Sequence, residues 1–343
     1  MDNPAQGLRF LLIAASLVVV IAGLQAAASV LLPFLLSIFL AILSLPLLVW
    51  LQGKRVPTTP AVLLTVLTNI VFLATIVVIV GGSVESFTQE APKYADGLRQ
   101  MADTLLAWLQ SKGIDLSPEV AGDVLNPGAV MGLVGQIFNS LASVLSNVVL
   151  VVITTIFILF EATQFPQKLR VALGRQDSDA ETFARIILEV QRYLGIKTLI
   201  SMVTGLLIGV WVAILGVDFP VLWGLLAFLF NYVPNLGSII AAIPTVLLAL
   251  VQLGPGAAVL VGLGYLVVNM ALGNFVEPYF MGRRLGLSTL VIFLSLVFWG
   301  WVWGPLGMLL SVPLTMVVKI LLENSENFQW VAVLLAPATG QDG

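Results

Sequence analysis

The sequence predicts an all-α protein, a polytopic membrane helical bundle of about eight hydrophobic segments with a small extracytoplasmic helical insert. Three observations carry this. Of 343 residues, 59% are hydrophobic and only 10% are charged, against roughly 25% charged in an average soluble domain, and the mean hydropathy is +1.07. The charges are also segregated, with none at 10–53, 56–84, 124–160, 198–217, 219–276 or 285–318. Each stretch matches or exceeds the roughly 20 apolar residues that cross a bilayer as a helix. Finally, two of these stretches are interrupted by Pro, Asn and Gly, which predicts broken segments.

Composition removes several functions. With no Cys there is no disulfide framework, thiol nucleophile or thiolate metal site. With no His, a proton relay must run on carboxylates, water or Tyr. A net charge of −3 gives no reason to expect a nucleic-acid partner. Gly195-Ile196-Lys197-Thr198 lacks the Gly-Lys pair of a phosphate-binding loop and opens a membrane span. No catalytic residues, metal site or cofactor is expected, and the chain does not read as an enzyme.

Residues 1–82 hold the N-terminal spans, expected near 8–26, 31–51 and 61–81. Gly23 to Ser29 is a small-residue break, and Pro33 suits the first turn of the second helix. Nothing before Arg9 resembles a cleaved leader, so the first helix is expected to remain as a span. Asn69 in the third span is expected to bond across a helix interface.

Residues 83–140 form the extracytoplasmic amphipathic insert. Phe87, Ala91, Tyr94, Leu98, Met101, Leu105 and Trp108 recur at helical spacing and form a seam for a neighbour in this chain or in another copy. Pro92 is expected in its first turn, with further helix starts at Ser117-Pro118 and Asn126-Pro127. Span 4 follows at 141–160, a basic cytoplasmic stretch at 161–197, a core with broken helices at 198–322, and a C-terminal tail at 323–343. Gly216-Val217-Asp218-Phe219-Pro220 closes the fifth span with one acid.

The breaks are Asn231-Tyr232-Val233-Pro234-Asn235-Leu236-Gly237 and Trp303-Gly304-Pro305-Leu306-Gly307, loosely alike in that each Leu-Gly pair is followed by a further Pro (Pro244, Pro313). Pro removes a backbone donor and disfavours helix before it. Irregular backbone at membrane depth survives only when it is buried in protein or lines a wet cavity. The paired breaks hint at an internal repeat of the transporter kind. If 221–251 and 289–322 are re-entrant hairpins and the N-terminus is cytoplasmic, every basic residue except Lys93, Arg99 and Lys112 falls inside.

The candidate solute path therefore comprises Asn231, Pro234, Asn235, Gly237 and Ser238 at the first break, and Gly304, Pro305 and Gly307 at the second. Asn269 and Asn274 join them on the span leading to Glu277. Amides and a hydroxyl suit a polar solute. Glu277, which closes the longest charge-free run, and Asp218 are the carboxylates expected to couple transport to protons. Trp299, Trp301 and Trp303 flank the second break, where Trp serves more often as an interface anchor than as a ligand contact.

Three motifs carry a resemblance: Asn231–Pro244 with its Pro234-Asn235-Leu236-Gly237 core; Gly273-Asn274-Phe275-Val276-Glu277-Pro278-Tyr279-Phe280-Met281-Gly282 followed by Leu285-Gly286-Leu287-Ser288; and the Trp/Gly/Pro-rich Phe298–Leu314. They resemble the hallmarks of the autoinducer-2 exporter family of bacterial membrane transporters. The Pro-Asn-Leu-Gly version is similar to the branch that contains the quorum-signal exporter. The resemblance implies a secondary transporter in the bacterial inner (plasma) membrane, exporting a small polar signal or metabolite. Its partners are that solute and the lipid bilayer, and the seam and Gly-rich spans are compatible with a homo-oligomer. Family members usually carry Arg after the Glu-Pro pair; here it is Tyr279, so an acid–Arg pair is absent or supplied by Arg283 or Arg284. Two alternatives remain at this point: a sodium (lithium)/proton antiporter on the same scaffold, and a membrane scaffold acting through its insert.

Overall fold

The computed structural model describes residues 4–112, 132, 135, 147–173, 177–234, 236–281, 287–325 and 328–336, and no strand occurs among them. The elements are α1 (Pro4–Ala26), α2 (Ala28–Gly53), α3 (Thr58–Ser111), α4 (Val148–Leu173), α5 (Asp177–Leu215), α6 (Pro220–Phe230), α7 (Leu236–Leu253) and α8 (Pro255–Asn269). A π-helical segment (Met270–Val276), α9 (Glu277–Met281), α10 (Thr289–Glu323) and α11 (Gln329–Leu335) complete them. Seven helical stretches among the described residues are long and apolar enough to cross a membrane. The all-α polytopic bundle is the observed architecture.

Two local expectations change. The second helix starts at Ala28, so Pro33 lies inside it. Only Ala27 separates α1 from α2, and Leu31 N–H still reaches the Ala27 carbonyl at 2.9 Å. Pro92 lies inside α3 rather than in a first turn, because the third span and the amphipathic helix are one element of 54 residues, about 80 Å long. The reason is a single buried stripe of Ile76, Val80, Phe87 and Tyr94, which spans the Gly81-Gly82 pair without leaving helical register. The basic stretch is also helical: α4 runs on to Leu173, and α5 begins at Asp177. The expected helix starts at Ser117-Pro118 and Asn126-Pro127, and the first residues of span 4 (141–146), lie outside the described residues.

The chain divides into two compact units. One contains residues 1–70, 147–194 and 284–343. Within it α2 packs on α4, α10 contacts α1 and α2, and α11 returns to α10. Its core joins Ala41, Leu48, Ala61, Val62, Val66 and Leu159. Ser37 Oγ donates to the Val151 carbonyl at 3.1 Å. Asn69 bonds across a helix interface as its sequence context suggested, accepting from Ser44 Oγ at 2.9 Å.

In this unit α10 folds back on itself. Gly304 leaves the helix at φ 66°, ψ −148°, a conformation open to glycine and strained for other residues. After it, Gly307 lies so close to the Trp299 carbonyl that a Cβ would overlap it. Trp299 Nε1 donates to Thr315 Oγ1 at 3.2 Å. The stretch is thus a helix–break–helix hairpin.

The other unit contains residues 71–146 and 195–283. Its core joins the α3 stripe to Ile208, Val212, Leu222, Trp223, Leu226, Ala241, Leu248, Val261 and Tyr265. The amphipathic seam therefore finds a partner within its own chain at Phe87 and Tyr94. Gly205 and Gly209 on α5 face Gly224 on α6, the close backbone approach typical of membrane helix pairs. Trp211 Nε1 donates to the Leu260 carbonyl at 3.0 Å, fixing α5 against α8. Helices α6 and α7 form the first hairpin, and α7 packs on α8. At 11 residues, about 16 Å, α6 is too short to cross a bilayer alone.

Candidate functional site

The first hairpin turns because Pro234 cannot continue the α6 ladder and Gly237 allows a close return. Val233 N–H bonds the Phe230 carbonyl at 2.8 Å, and Gly237 N–H bonds the Val233 carbonyl at 3.1 Å. A Cβ at Gly237 would overlap the Phe230 carbonyl, so this glycine serves the turn. The side chains around the turn are tied to α5. Asn231 Nδ2 donates to Ser201 Oγ at 2.9 Å, and the Thr198 and Tyr232 hydroxyls are 2.6 Å apart.

A cavity of about 580 Å³ opens between this hairpin and α8 with its π-helical continuation. Asn231, Pro234, Ser238, Asn269, Asn274 and Glu277 all line it. Ile243, Val246, Leu247 and Leu266 supply an apolar wall, giving the mixture of apolar surface and a few convergent polar groups usual for small-molecule sites.

Lys197 also lines this cavity. Its Nζ donates to both Glu277 oxygens, at 2.7 and 2.8 Å, with side-chain exposures of 3% and 19%. A buried ion pair is kept only where geometry and hydrogen bonds offset desolvation, and removing one partner alone leaves an uncompensated charge. The sequence offered Arg283 or Arg284 as partners for Glu277; both lie outside the described residues, and the described partner is Lys197. The two are 80 positions apart. The one signal was that Lys197 is the last charge before a charge-free span.

Asp218 is not among the cavity-lining residues. It precedes α6, whereas Asn231 follows it, about 16 Å along the helix. Its Oδ2 accepts from Tyr94 Oη at 2.9 Å, its carbonyl from Trp223 Nε1 at 2.8 Å, and its N–H donates to Gln252 Oε1 at 3.0 Å. Glu90 Oε2 lies 3.0 Å from the same phenol oxygen.

Gly304, Pro305 and Gly307 shape the second hairpin and do not line the cavity. There the Trp299 and Trp303 rings lie 4.9 Å apart, and Trp303 Nε1 donates to the Leu24 carbonyl at 3.0 Å. Trp301 is 65% exposed, as an anchor would be. Tyr279 is 83% exposed and stands edge-on to Phe280. Asn235 lies outside the described residues. Among the described residues no group of three or more acidic, His or Cys side chains could hold a metal.

A sequence profile of the AI-2E family transporter matches residues 13–327. The chain belongs to the AI-2E transporter family. It is 40% identical over 332 residues to the AI-2 transport protein TqsA of Escherichia coli K12, covering 96% of each chain. It is 38% identical over 331 residues to the putative transport protein YhhT of the same organism, covering 96% of this chain and 95% of YhhT. A putative transport protein of Haemophilus influenzae matches at 40% over 342 residues, 98% of each chain. The chain is thus a multi-pass membrane transporter of the AI-2E family, as its three motifs implied.

Proposed function

We propose that this AI-2E transporter exports a small, polar, polyhydroxylated solute of the autoinducer-2 kind, and that the cavity beside the first hairpin is its path. The observation that carries the reading is the convergence on one cavity of Asn231, Ser238, Asn269, Asn274, Lys197 and Glu277, drawn from the first hairpin's turn and five helical elements. Amides accept and donate at once, as alternating hydroxyl and carbonyl groups of such a solute require. The 40% identity to TqsA, an AI-2 transport protein, supports the choice of solute.

In this reading Glu277 is the carboxylate that couples transport to protons. Asp218, held by Tyr94, contributes at the other end of α6. The second hairpin, with Gly304, Pro305 and Gly307, supplies the matching element of alternating access. The protein works without cofactor or catalysis, in the bacterial inner membrane. Its N-terminus and 161–197 are cytoplasmic, 83–140 is extracytoplasmic, and both hairpins are re-entrant. This places the α7–α8 turn outside; a cysteine at Gln252 that is labelled only from the cytoplasm would overturn that topology.

The decisive experiment is transport in proteoliposomes under an imposed proton gradient, run in parallel with autoinducer-2 and with sodium. Proton-dependent autoinducer-2 flux without sodium flux is expected. Sodium flux alone would replace the reading with a cation antiporter, and no flux of either solute would return the chain to a scaffold.

A further inference from the structure

The cavity has two halves of different chemistry. Only Gly254 separates α7 from α8, and the two pack together, so they run antiparallel. Ser238 therefore stands level with Asn269 and Met270, and Val246 with Gly262, where a Cβ would meet Val246 Cγ2 at 3.8 Å. The amides and the Lys197–Glu277 pair gather at the Ser238 end. Beyond Ser238, every α7 residue on the lining is apolar as far as Leu247, nine positions on and about 14 Å along the helix. From α8 they are opposed by Gly262, Tyr265 and Leu266. The Tyr265 hydroxyl lies 3.0 Å from that of Thr245 and is paired with it. A polyol pushed into this half would give up water with nothing to replace it. Hydroxyl groups suit one half of the cavity, and hydrocarbon suits the other.

The direction of this polarity matches a bilayer leaflet. Lys197 is the last charge before the charge-free 198–217, and Glu277 is the first after 219–276. The polar half thus lies at the surface end of the spans, and the apolar half within them. Ile239, Ile243, Leu266 and Met270, all on the lining, are exposed, so the cavity is a groove open along its side. Both of its helices are long and apolar enough to cross a membrane. An amphiphile already in that leaflet has its head and chain aligned with the groove and enters without turning. The head is specified too. Lys197 Nζ sits on both Glu277 oxygens, which leaves this half without net charge, and the amides around the pair donate and accept as hydroxyl groups require.

We propose that the groove binds a second class of ligand: a single-chain amphiphile with an uncharged, hydroxylated head, taken laterally from the bilayer. The head sits among Asn231, Asn269 and Asn274, and the chain lies along α7 from Ile243 to Leu247 against Gly262. The inference does not depend on autoinducer-2 being a cargo, because it is tested by binding alone.

The probe is octyl β-glucoside carrying a diazirine near the end of its chain, at submicellar concentration. It is irradiated with the full-length protein in phosphatidylcholine nanodiscs, and the adducts are mapped by peptide mass spectrometry. Adducts at Val246, Leu247 and Leu266 should exceed those at Val259 and Leu263, which are exposed on α8 but outside the lining, by about tenfold. Excess unlabelled octyl β-glucoside should abolish the groove adducts, whereas the same excess of glucose should leave them. Gly262→Leu fills the apolar half and should lower the groove adducts about tenfold without changing those at Val259. Gly262→Ala, whose added Cβ makes only ordinary contact, should keep them. If Gly262→Leu does not fold, Leu247→Trp closes the same end from α7 and should lower the adducts at Val246 and Leu266 equally. Equal labelling of groove and outer face, or groove labelling that survives the filling variants, would overturn the proposal. Displacement by glucose as effective as by octyl β-glucoside would reduce the groove to a site for the head alone and overturn it as well.

Discussion

The two hairpins use one backbone device for opposite ends. In each, Pro breaks a helix, a Leu-Gly pair follows, and a buried Pro comes seven or six residues after the glycine, at Pro244 and Pro313. In each, the glycine after the break lets the returning backbone touch a carbonyl of the preceding helix, Phe230 in one case and Trp299 in the other. The side chains differ. Around the first break, amides, hydroxyls and an ion pair face a cavity. Around the second, two indoles packed at a tilt spend their N–H groups on Thr315 and the Leu24 carbonyl. A broken membrane helix is therefore not a site in itself; what lines the break decides whether it faces a cavity or packs.

The severest way to break this comparison is to remove the shared device. Gly237→Leu and Gly307→Leu should each abolish monodisperse, folded protein in detergent size exclusion, because the added side chain must displace backbone; overpacking costs about 1–3 kcal/mol even when only side chains have to move. If one variant folds normally, the two hairpins do not share their turn. Next come the polar groups of the first break. Asn269→Ala and Asn274→Ala should each lower autoinducer-2 transport roughly tenfold, about the worth of one hydrogen bond, with thermal stability unchanged. A loss of stability instead would make these amides structural.

The second hairpin should respond the other way round. Trp303→Phe removes the bond to Leu24 and should lower thermal stability by about 1 kcal/mol with transport rates retained. A large transport defect without loss of stability would erase the distinction between the breaks. The smallest effect is expected at Ser44→Ala, which frees Asn69 of its described partner in a helix pair remote in sequence from both breaks. Destabilisation below about 1 kcal/mol is expected, measured by the same thermal assay.

Much of this architecture is legible residue by residue. The charge-free stretches located the spans, because a bilayer imposes a length and a polarity that composition cannot disguise. Pro234 and Pro305 located the breaks, since a missing backbone donor acts locally. By local pattern the third span and the amphipathic helix are separate elements, with Pro92 opening the second; a buried stripe running from Ile76 to Tyr94 joins them in one helix. The family motifs contain Asn231, Asn274 and Glu277, and Asn269 came into view as an amide on the span leading to Glu277.

What the sequence by itself determined is the class of molecule: a helical membrane transporter with two backbone breaks and very few charges, each therefore conspicuous. Tertiary structure alone decided the company those charges keep. Lys197 belongs to a basic stretch by sequence and to the cavity by packing. Glu277 reaches it only because a π-helical segment sets its rotation. Asp218, equally conspicuous in the chain, is taken by Tyr94 instead. Hydrophobicity and backbone chemistry act through neighbours in sequence, whereas the partner of a buried charge is chosen by contacts across 80 residues or more.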